Sequence, residues 1–132
     1  TLMTNVAGVF FTARHFLPHL LAGGEQRGTA PGKLAIISSQ MGSSTRAGSG
    51  AIMYRASKAA ATNLARSLAV ELASQNIAVG AYHPGWVQTE MGGQEAAVTP
   101  ADSAAGLLQR FAALGMGSTG VFEDYTGAVI PF

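Results

Sequence analysis

Residues 34–39 read LAIISS, a short apolar run that ends in two serines. Such a run is typical of a β-strand buried on both faces of a parallel sheet. A second run, IAVGAY, occupies residues 77–82, and Pro84 follows it where a proline ends strand pairing. Between the runs, residues 54–73 are rich in alanine and leucine and predict a long helix. Strand, helix and strand in this order indicate parallel pairing.

A further helix is predicted before the first run. Apolar residues recur there at steps of three and four, which indicates one buried helix face; they are Val6, Phe10, Ala13, Leu17 and Leu20. Pro18 should bend or end this helix early, because proline has no amide proton to donate. Residues 23–33, GGEQRGTAPGK, then predict a polar connection.

The segments after the second run predict a loop, a helix and a strand. Residues 86–98 have no clear period and predict an irregular flap. Thr99 suits the N-cap of a helix, and Pro100 suits its first position. Residues 120–132, GVFEDYTGAVIPF, predict a terminal strand with a turn near Thr126.

The alternation of helices and strands predicts an α/β fold with a parallel sheet, right-handed crossovers and helices on both faces. With only three strands, the run at 34–39 would lie at an edge of the sheet. An apolar edge strand is a liability, because its free backbone groups can pair with another chain. The chain also begins TLMTNVAG and enters the helical pattern at once. We therefore expect it to be a cut through a longer protein.

Composition argues against several classes of protein. The 132 residues carry a formal net charge of +1, which provides no electrostatic footprint for nucleic acid or an anionic membrane. There is no cysteine for a disulfide or a thiolate metal site. His15 and His19 lie one helical turn apart, but no carboxylate accompanies them, and we predict no metal site. No apolar run approaches the roughly 20 residues that span a bilayer, so we expect a cytoplasmic protein.

Tyr54 and Lys58 lie four residues apart in the sequence YRASK and therefore on one helix face. A free phenol has a pKa of about 10, and a nearby ammonium lowers that pKa by favouring the phenolate. A tyrosine tuned in this way can act as general acid to a carbonyl or general base to an alcohol. Taken alone, such a pair is more often an aromatic that packs and a lysine that reaches solvent.

Two strand ends add polar groups to this pair. Ser39 ends the first run, and ligands of open α/β sheets bind at the carboxyl ends of the strands. A serine hydroxyl at that point could polarise the same substrate oxygen that Tyr54 protonates. The second run ends in HPGWVQT, where Gly85 allows close approach of the backbone and Thr89 offers a hydroxyl.

These motifs stand in the order found in short-chain dehydrogenases/reductases; the matching stretches are TNVAGVF, LAIISS, YRASKAA, LAVEL with NIAV, and HPGWVQTEM. The chain resembles the C-terminal half of such an enzyme, and its end is similar to the C-factor-like and sniffer-like carbonyl reductases. The resemblance implies a partial Rossmann-like, doubly wound parallel sheet, with the last three strands and their flanking helices. It also implies that residues 1–132 belong to a single domain whose N-terminal phosphate-binding half is absent, because the family's T-G-x-x-x-G-x-G turn does not occur in the sequence.

The resemblance implies catalytic roles for four residues. Tyr54 matches the family's acid/base, and Lys58 matches the lysine that lowers its pKa and bonds the nicotinamide ribose. Ser39 matches the serine that orients the substrate, with Ser38 as the competing candidate. Asn5 matches the asparagine that supports a proton relay through water to the lysine.

The resemblance counts Tyr54 and Lys58 among the residues that also bind an NAD(P) cofactor. Four further residues are implied to hold its nicotinamide end: Pro84, Gly85, Val87 and Thr89. The implied substrate is a small carbonyl or alcohol, and the implied assembly of the full-length protein is a homodimer or homotetramer. Met41, Trp86 and Met91 could line the substrate pocket, although packing explains them as well. His83 is expected to be a strand-end residue with no direct chemical role. The alternative is a non-catalytic binding or dimerisation module, and the preference for NAD or NADP stays open.

Overall fold

The computed structural model describes the backbone of residues 1–132 and every side chain except those of residues 24–27. The described chain forms three α-helices and three β-strands in strict alternation. They are α1 (Gly8–Arg27), β1 (Gly32–Ile37), α2 (Ile52–Glu71), β2 (Ile77–His83), α3 (Pro100–Ala113) and β3 (Phe122–Asp124). One π-helical turn, Met3–Ala7, leads into α1. This order confirms the predicted alternation, with boundaries shifted by a few residues.

The three strands form one parallel sheet in the order β1-β2-β3. Strand β1 therefore lies at an edge, as predicted. Its burial differs from the prediction, since Gly32 and Ile36 are buried whereas Ile37 is 42% exposed. Strand β2 has neighbours on both sides, and its residues 77–82 are all buried. An apolar run thus predicts a strand, but the number of its neighbours decides how much of it is covered.

Helices cover both faces of the sheet. The buried cluster on one face contains Ala61 and Ala65 of α2 together with Val79 of β2, and Val9 of α1 packs against it. On the other face, the ring of Tyr82 in β2 meets Phe111 of α3 edge to face at 5.1 Å. This arrangement confirms the α/β sheet flanked by helices.

The hand of the crossovers departs from the prediction. Both crossovers step in the same direction along the sheet, from β1 to β2 and from β2 to β3. Because α2 and α3 lie on opposite faces, the two connections have opposite hands, and they cannot both be right-handed. Segment 86–98 connects the end of β2 to α3 on that opposite face.

Helix α1 also departs from the prediction, because it continues through Pro18 to Arg27. The expected polar connection at residues 23–33 is therefore helical up to Arg27; the side chains of residues 24–27 lie outside the described ones. Pro18 is exposed, so the carbonyl that loses its helical donor can bond to water. On the opposite side, Leu17 and Leu20 pack against the core and stabilise the turns on either side of the proline.

The C-terminal part of the chain follows the sequence closely. Thr99 caps α3 by accepting a hydrogen bond from the amide of Asp102 at 3.1 Å, and Pro100 is the first helical residue. After β3, the Gly127 amide donates to the Asp124 carbonyl at 3.0 Å and closes the predicted turn. Within the described chain, no helix has the length and hydropathy needed to cross a membrane.

Gly42 lies where the segment after β1 contacts α2, and it has no room for a side chain. A Cβ there would stand 2.6 Å from the Lys58 carbonyl carbon and 2.7 Å from its oxygen. We expect Gly42→Ala to lower the free energy of unfolding by about 1–3 kcal/mol, because the helix backbone cannot yield as a side chain can. Chemical denaturation followed by circular dichroism measures the loss.

The matched control is Gly117→Ala, since nothing lies within 4 Å of a Cβ at that exposed position. Equal stability of the two variants would contradict the close contact between Gly42 and α2.

Candidate active site

A cleft of about 680 Å³ opens at the carboxyl edge of the sheet, beside the first turn of α2. Ser39 reaches it from the end of β1, and Tyr54 reaches it from α2. The turn after β2 forms much of the remaining wall, with Pro84, Gly85 and Val87. Residues predicted from three separate stretches of sequence therefore line one cleft.

The two serines at the end of β1 take different directions. The hydroxyl of Ser38 is buried against α2, where it donates to the Lys58 carbonyl at 3.1 Å and shares a 2.6 Å hydrogen bond with the Thr62 hydroxyl. Ser39 Oγ accepts a hydrogen bond from the Met41 amide at 3.1 Å, and its side chain lines the cleft. Ser38 is thus engaged with α2, and Ser39 is the serine that lines the cleft.

Tyr54 and Lys58 lie on one face of α2, as their spacing predicts. Lys58 Nζ is 5.8 Å from the centroid of the Tyr54 ring, within reach of a cation–π contact. The same Nζ donates to the carbonyl of Ile37 at 3.1 Å. Burial lowers the pKa of the Lys58 ammonium below its ordinary value of 10.5. An anion beside Lys58 would oppose that shift, because it favours the charged form.

Asn5 connects the start of the chain to α2. Its side-chain amide donates to Ser57 Oγ at 3.0 Å, and that hydroxyl donates to the Tyr54 carbonyl at 2.8 Å. Asn5 lies in the π-helical turn, an irregularity that often marks functional positions. Ser57 is fully buried and forms the link, although sequence reasoning missed it. Its position inside YRASK was the only signal available.

Asn5 and Lys58 line a second cavity of about 390 Å³, which extends between α1 and the edge strand β1. Neither residue lines the larger cleft. The structure therefore divides the four predicted catalytic residues into two pairs on two cavities. Tyr54 and Lys58 link the two cavities, because they lie on successive turns of α2 and on the same face of that helix.

The turn after β2 is rigidly tied to the rest of the fold. Gly85 has φ +87°, and a Cβ there would come within 3.0 Å of Tyr125, so only glycine fits. The hydroxyl of Ser103 in α3 donates to the Pro84 carbonyl at 2.6 Å. Thr89 Oγ1 accepts from the Gly92 amide at 3.1 Å and shapes the flap.

Three large apolar side chains also line the cleft, as the sequence allowed; they are Met41, Trp86 and Met91. Trp86 Nε1 donates to the Gly92 carbonyl at 2.8 Å, which holds the flap closed on itself. Met91 is 91% exposed, so it presents its apolar surface at the mouth of the cleft. These side chains favour a molecule with an apolar part.

His83 is the last residue of β2 and lines the same cleft. Its Nδ1 is buried and has no hydrogen-bond partner within the described part of the chain. Burial lowers the pKa of the imidazole below its ordinary value of 6.5, while nearby Asp124 raises it and Arg46 lowers it further. The predicted strand-end position of His83 is confirmed, whereas the unpaired nitrogen could not be predicted from neighbouring residues.

Comparison with known proteins gives a consistent result. The profile described as short chain dehydrogenase matches residues 1–99. Among curated proteins, C-signal of Myxococcus xanthus is 35% identical over 133 aligned positions, which cover 100% of this chain and 76% of C-signal. Among solved structures, the carbonyl reductase Sniffer of D. melanogaster superposes with a TM-score of 0.94 at 31% identity. An NADPH-bound carbonyl reductase from chicken fatty liver superposes with a TM-score of 0.91 at 30% identity.

The coverage of these proteins is unequal. All of this chain aligns with Sniffer and 98% of it with the chicken enzyme, but it spans only 56% and 52% of their chains. The likeness therefore extends along the described sheet and its helices and does not reach the remainder of those two structures.

The depressed pKa of His83 predicts a stability change with pH. Because the unfolded chain binds a proton at a higher pH than the folded chain, the free energy of unfolding falls as the pH drops through 6.5. The loss levels off below the folded-state pKa. We expect wild type to lose more stability than His83→Gln between neutral pH and about pH 5. Parallel losses in urea denaturation would contradict a buried, neutral imidazole.

Proposed function

Because the chain belongs to the short chain dehydrogenase family, we propose that it carries the catalytic groups of an NAD(P)-dependent oxidoreductase. The reaction is the interconversion of a small carbonyl compound and its alcohol. The observation that carries this proposal is the convergence of Ser39 and Tyr54 on one cleft, with Lys58 one turn away on the face of Tyr54. The names of the structural neighbours, both carbonyl reductases, support the same class.

In the direction of reduction, Tyr54 donates its phenolic proton to the carbonyl oxygen of the substrate. Ser39 donates a hydrogen bond to the same oxygen and holds it in position, which a hydroxyl at the cleft wall can do. The nicotinamide, when bound, supplies the hydride to the carbonyl carbon. Lys58 favours the tyrosinate that remains, because an ammonium stabilises a neighbouring anion.

Asn5 acts through its neighbours. Its hydrogen bond to Ser57 fixes the π-helical turn against α2, beside the cavity that Lys58 lines. A water held in that cavity would carry protons from solvent to Lys58 and so restore the Tyr54 hydroxyl. The catalytic role of each of these residues is part of the proposal.

The residues present fit the nicotinamide end of the cofactor. Pro84, Gly85, Val87 and Thr89 all line the cleft that contains Tyr54. Gly85 packs its Cα against Tyr125 and Val98, which fixes the path of the turn that forms this part of the wall. The similar carbonyl reductase from chicken fatty liver has NADPH bound, which supports a nicotinamide cofactor. No glycine-rich T-G-x-x-x-G-x-G turn occurs in the 132 residues to hold a pyrophosphate.

The whole protein is proposed to contain this chain as the C-terminal part of one domain. We propose further that it is a homodimer or homotetramer and resides in the cytoplasm. Activity of the 132-residue chain by itself is not part of the proposal, because most of the cofactor would lie on groups that the chain does not carry.

The central test is Tyr54→Phe in the full-length protein. We expect turnover to fall by a factor of about a hundred to ten thousand, because the phenyl ring keeps the packing but has no proton to donate. NADPH oxidation in the presence of a small aromatic aldehyde measures the rate. Fluorescence titration of NADPH should show little change in affinity.

The matched control is Tyr125→Phe, the same chemical change at a tyrosine that does not line the cleft. We expect it to retain activity near that of wild type. Full activity in Tyr54→Phe would disprove the assignment of Tyr54 as the acid.

A second candidate function is a non-catalytic binding or dimerisation module. The exposed aromatic residues of α1 favour it, since Phe11 and Phe16 are 47% and 57% exposed in a helix that otherwise packs on the sheet. A second copy that pairs α1 with α1 would cover them.

Sedimentation of the 132-residue chain, combined with an NADPH titration, separates the two candidates. A dimer that binds no NADPH and is dissociated by Phe16→Lys supports the module. A monomer that binds no NADPH would contradict the dimerisation module. Binding of NADPH at micromolar concentration would favour the enzyme.

A further inference from the structure

His83 occupies a position from which it can contact a molecule bound in the cleft. In β2, Ile77, Val79 and Ala81 belong to the buried cluster that includes α2. Side chains alternate along a strand, so His83 continues this row and points to the face that α2 covers. The row ends at the cleft that Tyr54 lines, and His83 is part of its wall.

The polar atoms of His83 are incompletely satisfied. The backbone carbonyl accepts a hydrogen bond from the Tyr125 amide at 2.9 Å. The ring Nδ1 is buried and has no partner within the described part of the chain. The residue as a whole is only partly buried, so Nε2 is the ring nitrogen left to face the cleft. Because Nδ1 is buried, Nε2 is the atom through which the ring could bond a molecule in the cleft.

The ring is uncharged near neutral pH. Burial is the main cause, and Arg46 from the loop after β1 adds to it, while Asp124 from β3 opposes it. A neutral imidazole carries one N–H. A buried donor without an acceptor costs free energy, so we assign the lone pair to the buried Nδ1 and the proton to Nε2 on hydrogen-bonding grounds.

The hydroxyl of Tyr82 shows that an unpaired polar atom is not enough for ligand binding, because the residue must also line a cleft. It is also buried without a partner within the described part of the chain, yet Tyr82 is 0% exposed and lines no described cleft. No ligand can reach it. Of these two neighbours, only His83 combines an unsatisfied polar ring with access to the candidate active site.

We infer that His83 is a positioning residue whose Nε2–H donates a hydrogen bond to a carbonyl oxygen of the molecule held in the cleft. The acceptor is either a carbonyl of the substrate or the carboxamide oxygen of nicotinamide, which present the same chemistry. The inference rests on the proposed function, in that it takes the cleft as the reaction site. It assigns His83 no part in proton transfer.

A matched pair of variants tests the donor. In His83→Gln, the side-chain amide keeps an N–H at about the same distance from the backbone as Nε2 of histidine. In His83→Met, the side chain has a length and flexibility similar to those of glutamine but carries no hydrogen-bond donor. In the full-length protein we expect His83→Met to weaken binding about tenfold, the loss of one hydrogen bond, and His83→Gln to stay near wild type. A raised Kd for NADPH assigns the bond to the carboxamide. A raised KM for benzaldehyde with unchanged NADPH affinity assigns it to the substrate. Equal binding in both variants and wild type overturns the inference.

Nitrogen-15 NMR of the imidazoles provides a readout that does not need activity. The His83 signals are identified by their absence in His83→Gln. We expect the Nε2–H tautomer in the free protein and a shift of that proton when NADPH or benzaldehyde is added. An Nδ1–H tautomer, or signals unmoved by both compounds, overturns the inference. Failure of the proposed function would instead appear as full activity in Tyr54→Phe, whatever the His83 signals show.

Discussion

The close contact between the alanine face of α2 and strand β2 is the constraint on which the rest of the structure depends. Ala61, Ala65 and Ala69 are at most 4% exposed, and they pack against the strand without any long side chain between. A helix that lies so close has its axis and rotation fixed by the sheet. The first turn of α2 therefore stands at the carboxyl edge, and Tyr54 meets Ser39 there. Larger residues at the alanine positions would move the tyrosine away from the strand ends.

Much of the fold could be predicted from the sequence, because each strand and helix has a local pattern of its own. The runs at 34–39 and 77–82, the cap at Thr99 and the turn near Thr126 all follow from neighbouring residues. The features that sequence reasoning missed depend on distant contacts. Pro18 does not end α1 because Leu17 and Leu20 pack on the core around it. The opposite hands of the two crossovers depend on the face of the sheet against which α3 packs, and no local sequence pattern predicts that face.

The candidate site shows the same division. Resemblance favoured Ser39 over Ser38 as the candidate, and the geometry is consistent with that choice, since Ser38 is held by Thr62 while Ser39 lines the cleft. Sequence reasoning could not find the link through Ser57, because one serine within an alanine-rich helix has no distinctive spacing. Nor could it find the unpaired nitrogen of His83. A hydrogen bond that is not made has no signature in a sequence, and only a complete account of buried polar atoms reveals it.

Lys58 lies between Tyr54 and the open edge of the sheet at β1, and it contacts both. The Ser38 amide donates to the Tyr82 carbonyl of β2, so the backbone groups of the preceding residue, Ile37, point away from β2 and toward the open edge. Lys58 Nζ bonds the Ile37 carbonyl at that edge. A strand added along β1 would therefore bond the same carbonyl as Lys58, since a carbonyl oxygen has two lone pairs to offer. A strand amide bonded to that carbonyl would lie beside the ammonium and change the space available to it. In this fold, one hydrogen bond joins the open edge of β1 to the Lys58 ammonium, which lies 5.8 Å from the centroid of the Tyr54 ring, so a change at that edge acts on the surroundings of Tyr54.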